Sequence, residues 1–293
     1  MKLPGENELR EHIRLELASD LQVTSDLLAI GMSIFEPNTR LNPKIDMDHA
    51  EAWMCLGIVM KACYQYRAIV ALSEIALGDV ADSNGRMLSE TMLAALFLMR
   101  PVVTLKRNGV ALPDIPGYPL TPAFRTKLYL AHDALSGLKS LRGMVGCGNM
   151  SKEDADRAVA LAEQHVAENA LEVGAEWLER LKKTGTFSGI KIVDLAESLG
   201  MSFLYHTFYR PSSAGVHGTN ARKFIDPEVQ SDGSITFHAN LSPRGVAEAL
   251  IFSSLMMFEV LDVTNQRFGL GLDERLGKLA PRIQNMTKRL PAE

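Results

Sequence analysis

The sequence predicts an all-α fold, a multi-helix bundle carrying one small β-hairpin, and three observations carry that expectation. Apolar residues recur at helical spacing along almost the whole 293-residue chain. Aromatic residues make up only 6% while methionine reaches 14 residues, a balance that favours helices over strands. Alternation of the strand kind is confined to one place, residues 222–238.

Taken in order, residues 6–35 read as two helical segments, with Asp20 and Ser25 as candidate caps between them. Residues 38–43 form a loop. A long apolar helix follows from Asp46 to Leu77, with Gly78 as its expected stop. A polar link, Asp79 to Gly85, leads to a helix from about Asn84 to Met99, which Pro101 ends. Three prolines between Asn108 and Pro119 predict a plain loop. Thr121-Pro122 then opens a helix to about Gly146, threonine capping and proline at the first position. Ser151-Lys152-Glu153-Asp154 has the form of a capping box, and its helix is expected to reach Lys183. A turn over 184–189 precedes a short helix at 191–199. In the hairpin, Phe224, Ile225, Val229, Ile235, Thr236 and Phe237 flank a Ser231-Asp232-Gly233-Ser234 turn. Ser242-Pro243 begins a long helix to about Arg267, and Leu272 to Leu290 forms the last one. No repeat, low-complexity tract or linker interrupts this, so one helical domain over 1–293 is the simplest organisation.

The net charge of −4 and a pI near 6.0 argue against a general nucleic-acid binder and leave room for a local basic patch. Cys55 and Cys63 sit in one apolar helical pattern and read as core thiols, and three cysteines in all fit a reducing compartment. The N-terminus has no signal-like apolar region, and the longest uninterrupted apolar run is Met92–Met99. The expectation is a cytoplasmic protein without membrane insertion. No phosphate-binding loop, dinucleotide fingerprint, nucleophile elbow or paired-histidine zinc motif is present, so neither a cofactor nor a metal site is expected.

Two segments hold the candidate chemistry. Arg86 and Glu90 stand four apart on one helix face, just before the helix becomes apolar on every side at Thr91. They read as an ion pair joining this helix to a neighbour or as part of a site. Downstream, His206, Arg210, Ser213 and His217 step by four, three and four, one polar stripe on a continuous helix that Pro211 bends and Gly215 weakens. Ser213 with His217 has the spacing of a nucleophile and base, although no carboxylate is placed to orient the histidine. Arg222, beside Lys223, follows closely enough to face an anionic ligand. The basic pairs Lys106-Arg107, Lys182-Lys183 and Lys288-Arg289 read as solvated helix ends.

Together the Arg86/Glu90 and Ser213/His217 motifs, followed by the hairpin, resemble an uncharacterised family of bacterial helical proteins. That family is known as a domain of unknown function, and the likeness covers roughly residues 50–265. A looser similarity is to the HEPN superfamily, helical bundles that include ribonucleases of stress and phage-defence systems. Its hallmark is an arginine and a histidine separated by four to six residues. Arg210 and His217 fit that window, with Pro211 where the superfamily usually carries a polar residue. The resemblance implies a homodimer that cleaves RNA without metal, with Arg210 and His217 catalytic. Arg86, Glu90, His206, Ser213 and Arg222 would then form the surrounding polar network. A non-catalytic module that docks a protein partner, or a binder of a small anionic metabolite, is the alternative expectation.

Overall fold

The computed structural model describes residues 6–36, 49–148, 151–212, 225–239 and 245–290. Among these, eleven helices and two short antiparallel hairpins account for the regular structure. The all-α expectation holds.

The chain divides into two compact units. One contains α1 (Glu6–Glu16), α2 (Ala18–Ser33), α3 (His49–Glu74) from Cys55 onward, α4 (Gly78–Met99) as far as Leu96, and the chain from Phe203. The other contains Phe97–Ser202 with the first turn of α3. The boundaries run through continuous helices, so no Gly- or Pro-rich linker marks them in the sequence.

In the first unit, α2 packs on α10 (Val246–Phe268) and α11 (Asp273–Thr287). The chain breaks between α1 and α2 at Leu17, and neither Asp20 nor Ser25 caps the break. Asp20 is buried in the first turn of α2, where the Arg289 guanidinium bonds both its oxygens. A carboxylate so buried needs such a partner. Along α3, Cys55, Val59, Ala62, Cys63, Tyr66 and Ile69 are fully buried, and the Tyr66 hydroxyl meets Ser254 Oγ of α10 at 3.0 Å.

Helix α3 is more apolar over its whole length than the count of uninterrupted apolar residues registers. By length and composition alone, Glu51–Glu74 is long and apolar enough to cross a bilayer; an 18-residue stretch within it has mean hydropathy 1.2, and 39% of that stretch is buried in the protein. Counting only uninterrupted apolar residues passed it over, because Lys61 and Arg67 divide the run. The stop after α3 differs as well. Ala76 takes the left-handed conformation (φ 64°), with Leu77 N–H bonding Leu72 O at 2.9 Å, a Schellman closure in which alanine does what glycine usually does. Gly78 starts α4 instead. The expected polar link is its first two turns, where Ser83 and Asn84 side chains bond back to the Asp79 and Val80 carbonyls.

The second unit is built on α5 (Pro122–Gly146), α6 (Lys152–Val173) and α7 (Ala175–Thr184). Thr121 caps α5 by accepting the Phe124 N–H, and Ser151 caps α6 by accepting that of Asp154. The helix from Ser151 ends ten residues earlier than expected, because Gly174 at φ 77° lies where an added Cβ would meet the Tyr118 hydroxyl. Arg125 is fully buried and donates to the carbonyls of Leu120, Leu98 and Arg100, pinning the chain that leaves α4. The expected plain loop contains a hairpin, β1 (Lys106–Arg107) and β2 (Val110–Ala111), turned at Asn108-Gly109 with both φ positive. That dipeptide is a strong short-range hairpin signal and was legible. Helix α8 (Ile192–Ser198) packs on β1.

The hairpin at the foreseen place is β3 (Ile225–Val229) paired with β4 (Ile235–Ala239), Val229 opposite Ile235. Helix α10 begins at Val246 behind Gly245 at φ 80°; the expected cap, Ser242-Pro243, lies outside the described residues.

Candidate functional site

From Ser202 the chain starts α-helical (α9, Ser202–Leu204), widens into a π-helical turn at Tyr205–Tyr209, and continues helical to Ser212. Pro211 supplies the physical reason. It has no N–H, and its ring would collide with the carbonyl four residues back in a regular α-helix. One wider turn relieves both problems, and Arg210 N–H bonds Tyr205 O, five residues back. The bend expected at Pro211 is therefore a bulge just before it.

Two contacts seat this turn on α4. Phe208 lies over Gly85, where an added Cβ would collide with its ring, and it also packs on Phe252 of α10 with ring centres 4.8 Å apart. Ser212, almost fully buried, shares its one hydroxyl proton between the Phe208 carbonyl at 2.8 Å and the Asp82 carboxylate at 3.0 Å. Asp82, Gly85, Arg86, Ser89 and Glu90 follow one another at helical spacing, so one face of α4 meets the turn.

On that face the Arg86 and Glu90 side chains pair at 3.5 Å, with 22% and 47% of their surface exposed. Glu90 also accepts the Tyr209 hydroxyl at 2.8 Å, and the Arg86 guanidinium lies 5.2 Å from the centre of the Tyr209 ring. Burial pushes the Tyr209 phenol up to about 12, and the bonded Glu90 carboxylate adds to the rise, while Arg86 opposes it. The sequence placed Arg86 and Glu90 on one helix face and left open whether Glu90 pairs with Arg86 or with Arg210 of the second segment; it pairs with Arg86 and also reaches that segment. It does so through Tyr209, a residue not singled out beforehand. The available signal was its place three residues after His206 and one before Arg210, in an aromatic-rich run interrupted by proline.

His206 and Arg210 are both exposed, one turn apart. Among the described residues, no hydrogen bond or ion pair involves the Arg210 side chain. Ser213, His217 and Arg222 lie outside the described residues. Also among the described residues, no three His, Cys, Asp or Glu side chains come together as a metal site would require. Cys55 and Cys63 are buried thiols outside any disulfide, as expected, and burial raises Cys63 to about 12.

No curated protein and no solved structure matches the chain. The family of unknown function DUF5677 matches residues 52–233, well over half of the sequence and inclusive of α4, the π-helical turn and the first strand of the second hairpin. The chain belongs to that family.

Proposed function

We propose that this protein is a metal-independent endoribonuclease of HEPN-like type, in which Arg210 binds the scissile phosphate and His217 moves the protons. The observation that carries the reading is the state of Arg210: exposed, and directly following Tyr209, whose hydroxyl is anchored to Glu90. An arginine serving only packing would be buried and bonded, as Arg125 is. The Arg86–Glu90–Tyr209 group then has a positioning task, holding the turn that presents Arg210.

The chemistry needs little else. A neutral imidazole takes the proton of the RNA 2′-hydroxyl as that oxygen attacks phosphorus. The phosphorus–5′-oxygen bond breaks, the leaving oxygen takes up a proton, and the products are a 2′,3′-cyclic phosphate and a 5′-hydroxyl. The forked guanidinium of Arg210 stabilises the charge that builds on the phosphate oxygens in between. On this reading the protein works in the bacterial cytoplasm as a homodimer, in which two copies of the motif meet, as in the proteins it resembles.

The test is RNA cleavage by the full chain with a chelator present, comparing wild type, Arg210→Ala and His217→Ala. The expected result is cleavage by wild type and a loss of at least about 100-fold in each variant. A wild type that cleaves no RNA, or a His217→Ala protein as active as wild type, sinks the proposal. A second reading, a non-catalytic module docking a protein partner, draws support from the bonds that tie Arg86, Glu90 and Tyr209 together. It predicts that His217→Ala lowers the melting temperature.

A further inference from the structure

The second unit contains a cleft of about 460 Å³ that none of the preceding chemistry uses. Its wall combines the turn of the β1–β2 hairpin, the C-terminal end of α7 and the start of α8. Arg107, Arg180, Lys183 and Lys191 line it together with Asn108 and Asp194. Arg107, Lys183 and Lys191 are exposed and make no ion pair among the described residues. Arg180 lies 5.1 Å from the centre of the Trp177 ring and bonds Glu176 at 2.8 Å. Asp194 is buried and accepts the Asn108 N–H at 3.2 Å, so its charge is committed to holding the hairpin turn. Four cations against two engaged carboxylates leave the cleft positive inside a chain whose net charge is −4. Such a concave site attracts an anion and binds it by charge-assisted hydrogen bonds.

A smaller cavity of about 160 Å³ shares Arg180 as a wall. Val103, Leu105, Ile115, Tyr118 and Trp177 line it, with the Asp114 carboxylate as its one acidic group. Trp177 is 2% exposed, and its indole N–H has no acceptor among the described residues. Gly189 contributes to the shape. At φ 68° it lets the 185–191 turn press against Trp177, where an added Cβ would stand 3.1 Å from the ring.

From these observations we infer that this cleft binds a small phosphorylated molecule with an aromatic ring, of the nucleoside monophosphate class. The phosphate sits among Arg107, Arg180, Lys183 and Lys191, and the ring enters the smaller cavity beside Trp177.

Calorimetric titration of the full chain with the four nucleoside monophosphates, the four nucleosides and inorganic phosphate tests this. At least one monophosphate is expected to bind about tenfold or more tightly than both its nucleoside and inorganic phosphate. The Arg107→Ser/Lys183→Ser double variant, altered only at exposed positions, is expected to keep its melting temperature and lose about tenfold or more in affinity. The His217→Ala variant binds as wild type does, which separates this site from the cleavage chemistry. Absence of binding by all four monophosphates overturns the inference. So does equal affinity for inorganic phosphate, or a double variant that binds like wild type.

Discussion

The two polar regions of this protein handle positive charge in opposite ways. On α4 and the π-helical turn, Arg86, Glu90 and Tyr209 are bonded to one another. Around the cleft of the second unit, Arg107, Lys183 and Lys191 stay exposed beside one another, repelling, with one engaged carboxylate, Asp194, in the lining. A bonded group contributes to stability and fixes geometry. An open cluster of like charges costs a little stability, and a bound anion returns it. Substitutions in the first region should therefore act on folding, and substitutions in the second on binding.

The largest expected effect is at Gly85. Gly85→Ala places a methyl group in the Phe208 ring and should cost about 1–3 kcal/mol, read as a melting temperature lower by several degrees. An unchanged melting temperature would mean that the turn is not seated on α4 as described.

Next comes Tyr209→Phe, which removes the bond to Glu90 and should cost about 1 kcal/mol. A double-mutant cycle with Glu90→Gln should show coupling of the same order, and strictly additive effects would mean that Tyr209 and Glu90 do not interact. The same pair gives a pH signature. Below pH 10 the Tyr209 phenol is protonated whether the chain is folded or unfolded, and it adds no pH dependence. Between about 10 and 12 the unfolded chain gives up the proton while the folded chain retains it. Stability should thus fall as pH rises through that window, and less steeply in Tyr209→Phe.

Thiol labelling sharpens the contrast between buried and exposed groups. At pH 8, Cys147 should react promptly, while Cys55 and Cys63 should wait for unfolding, because both are buried and the Cys63 thiolate is suppressed. Two or more fast thiols in the native protein would contradict the packing of α3. The smallest effect belongs to the open cluster. Lys183→Ser should leave stability within about 0.5 kcal/mol of wild type, since the side chain is exposed and without an ion pair among the described residues.

Much of this was legible in advance where the determinants are local. Thr121-Pro122 and Ser151 announced their helices because caps act over three residues. The second hairpin was legible from alternation around a turn. The Arg86–Glu90 pair followed from helical spacing. What escaped the reading was of two kinds. Some signals were local and weighed wrongly, such as Asn108-Gly109 and the break at Gly174. Others do not exist locally. Nothing near Tyr209 in the sequence says that it meets Glu90, 119 positions away. Likewise Lys106-Arg107 and Lys182-Lys183 were read as separate solvated pairs, yet Arg107 and Lys183 line one cleft.

By itself, then, the sequence determined the helical class, the helix starts that side-chain caps define, the second hairpin and the membership of its family. Periodicity, caps and turn residues work over a few positions, and their physics is complete in the sequence. Only the tertiary structure decided which charges are bonded and which stay open, because burial and partnership depend on contacts between residues far apart in the chain. The widened turn before Pro211 joins both levels: the proline demands relief locally, and packing over Gly85 decides where the relieved turn presents Arg210.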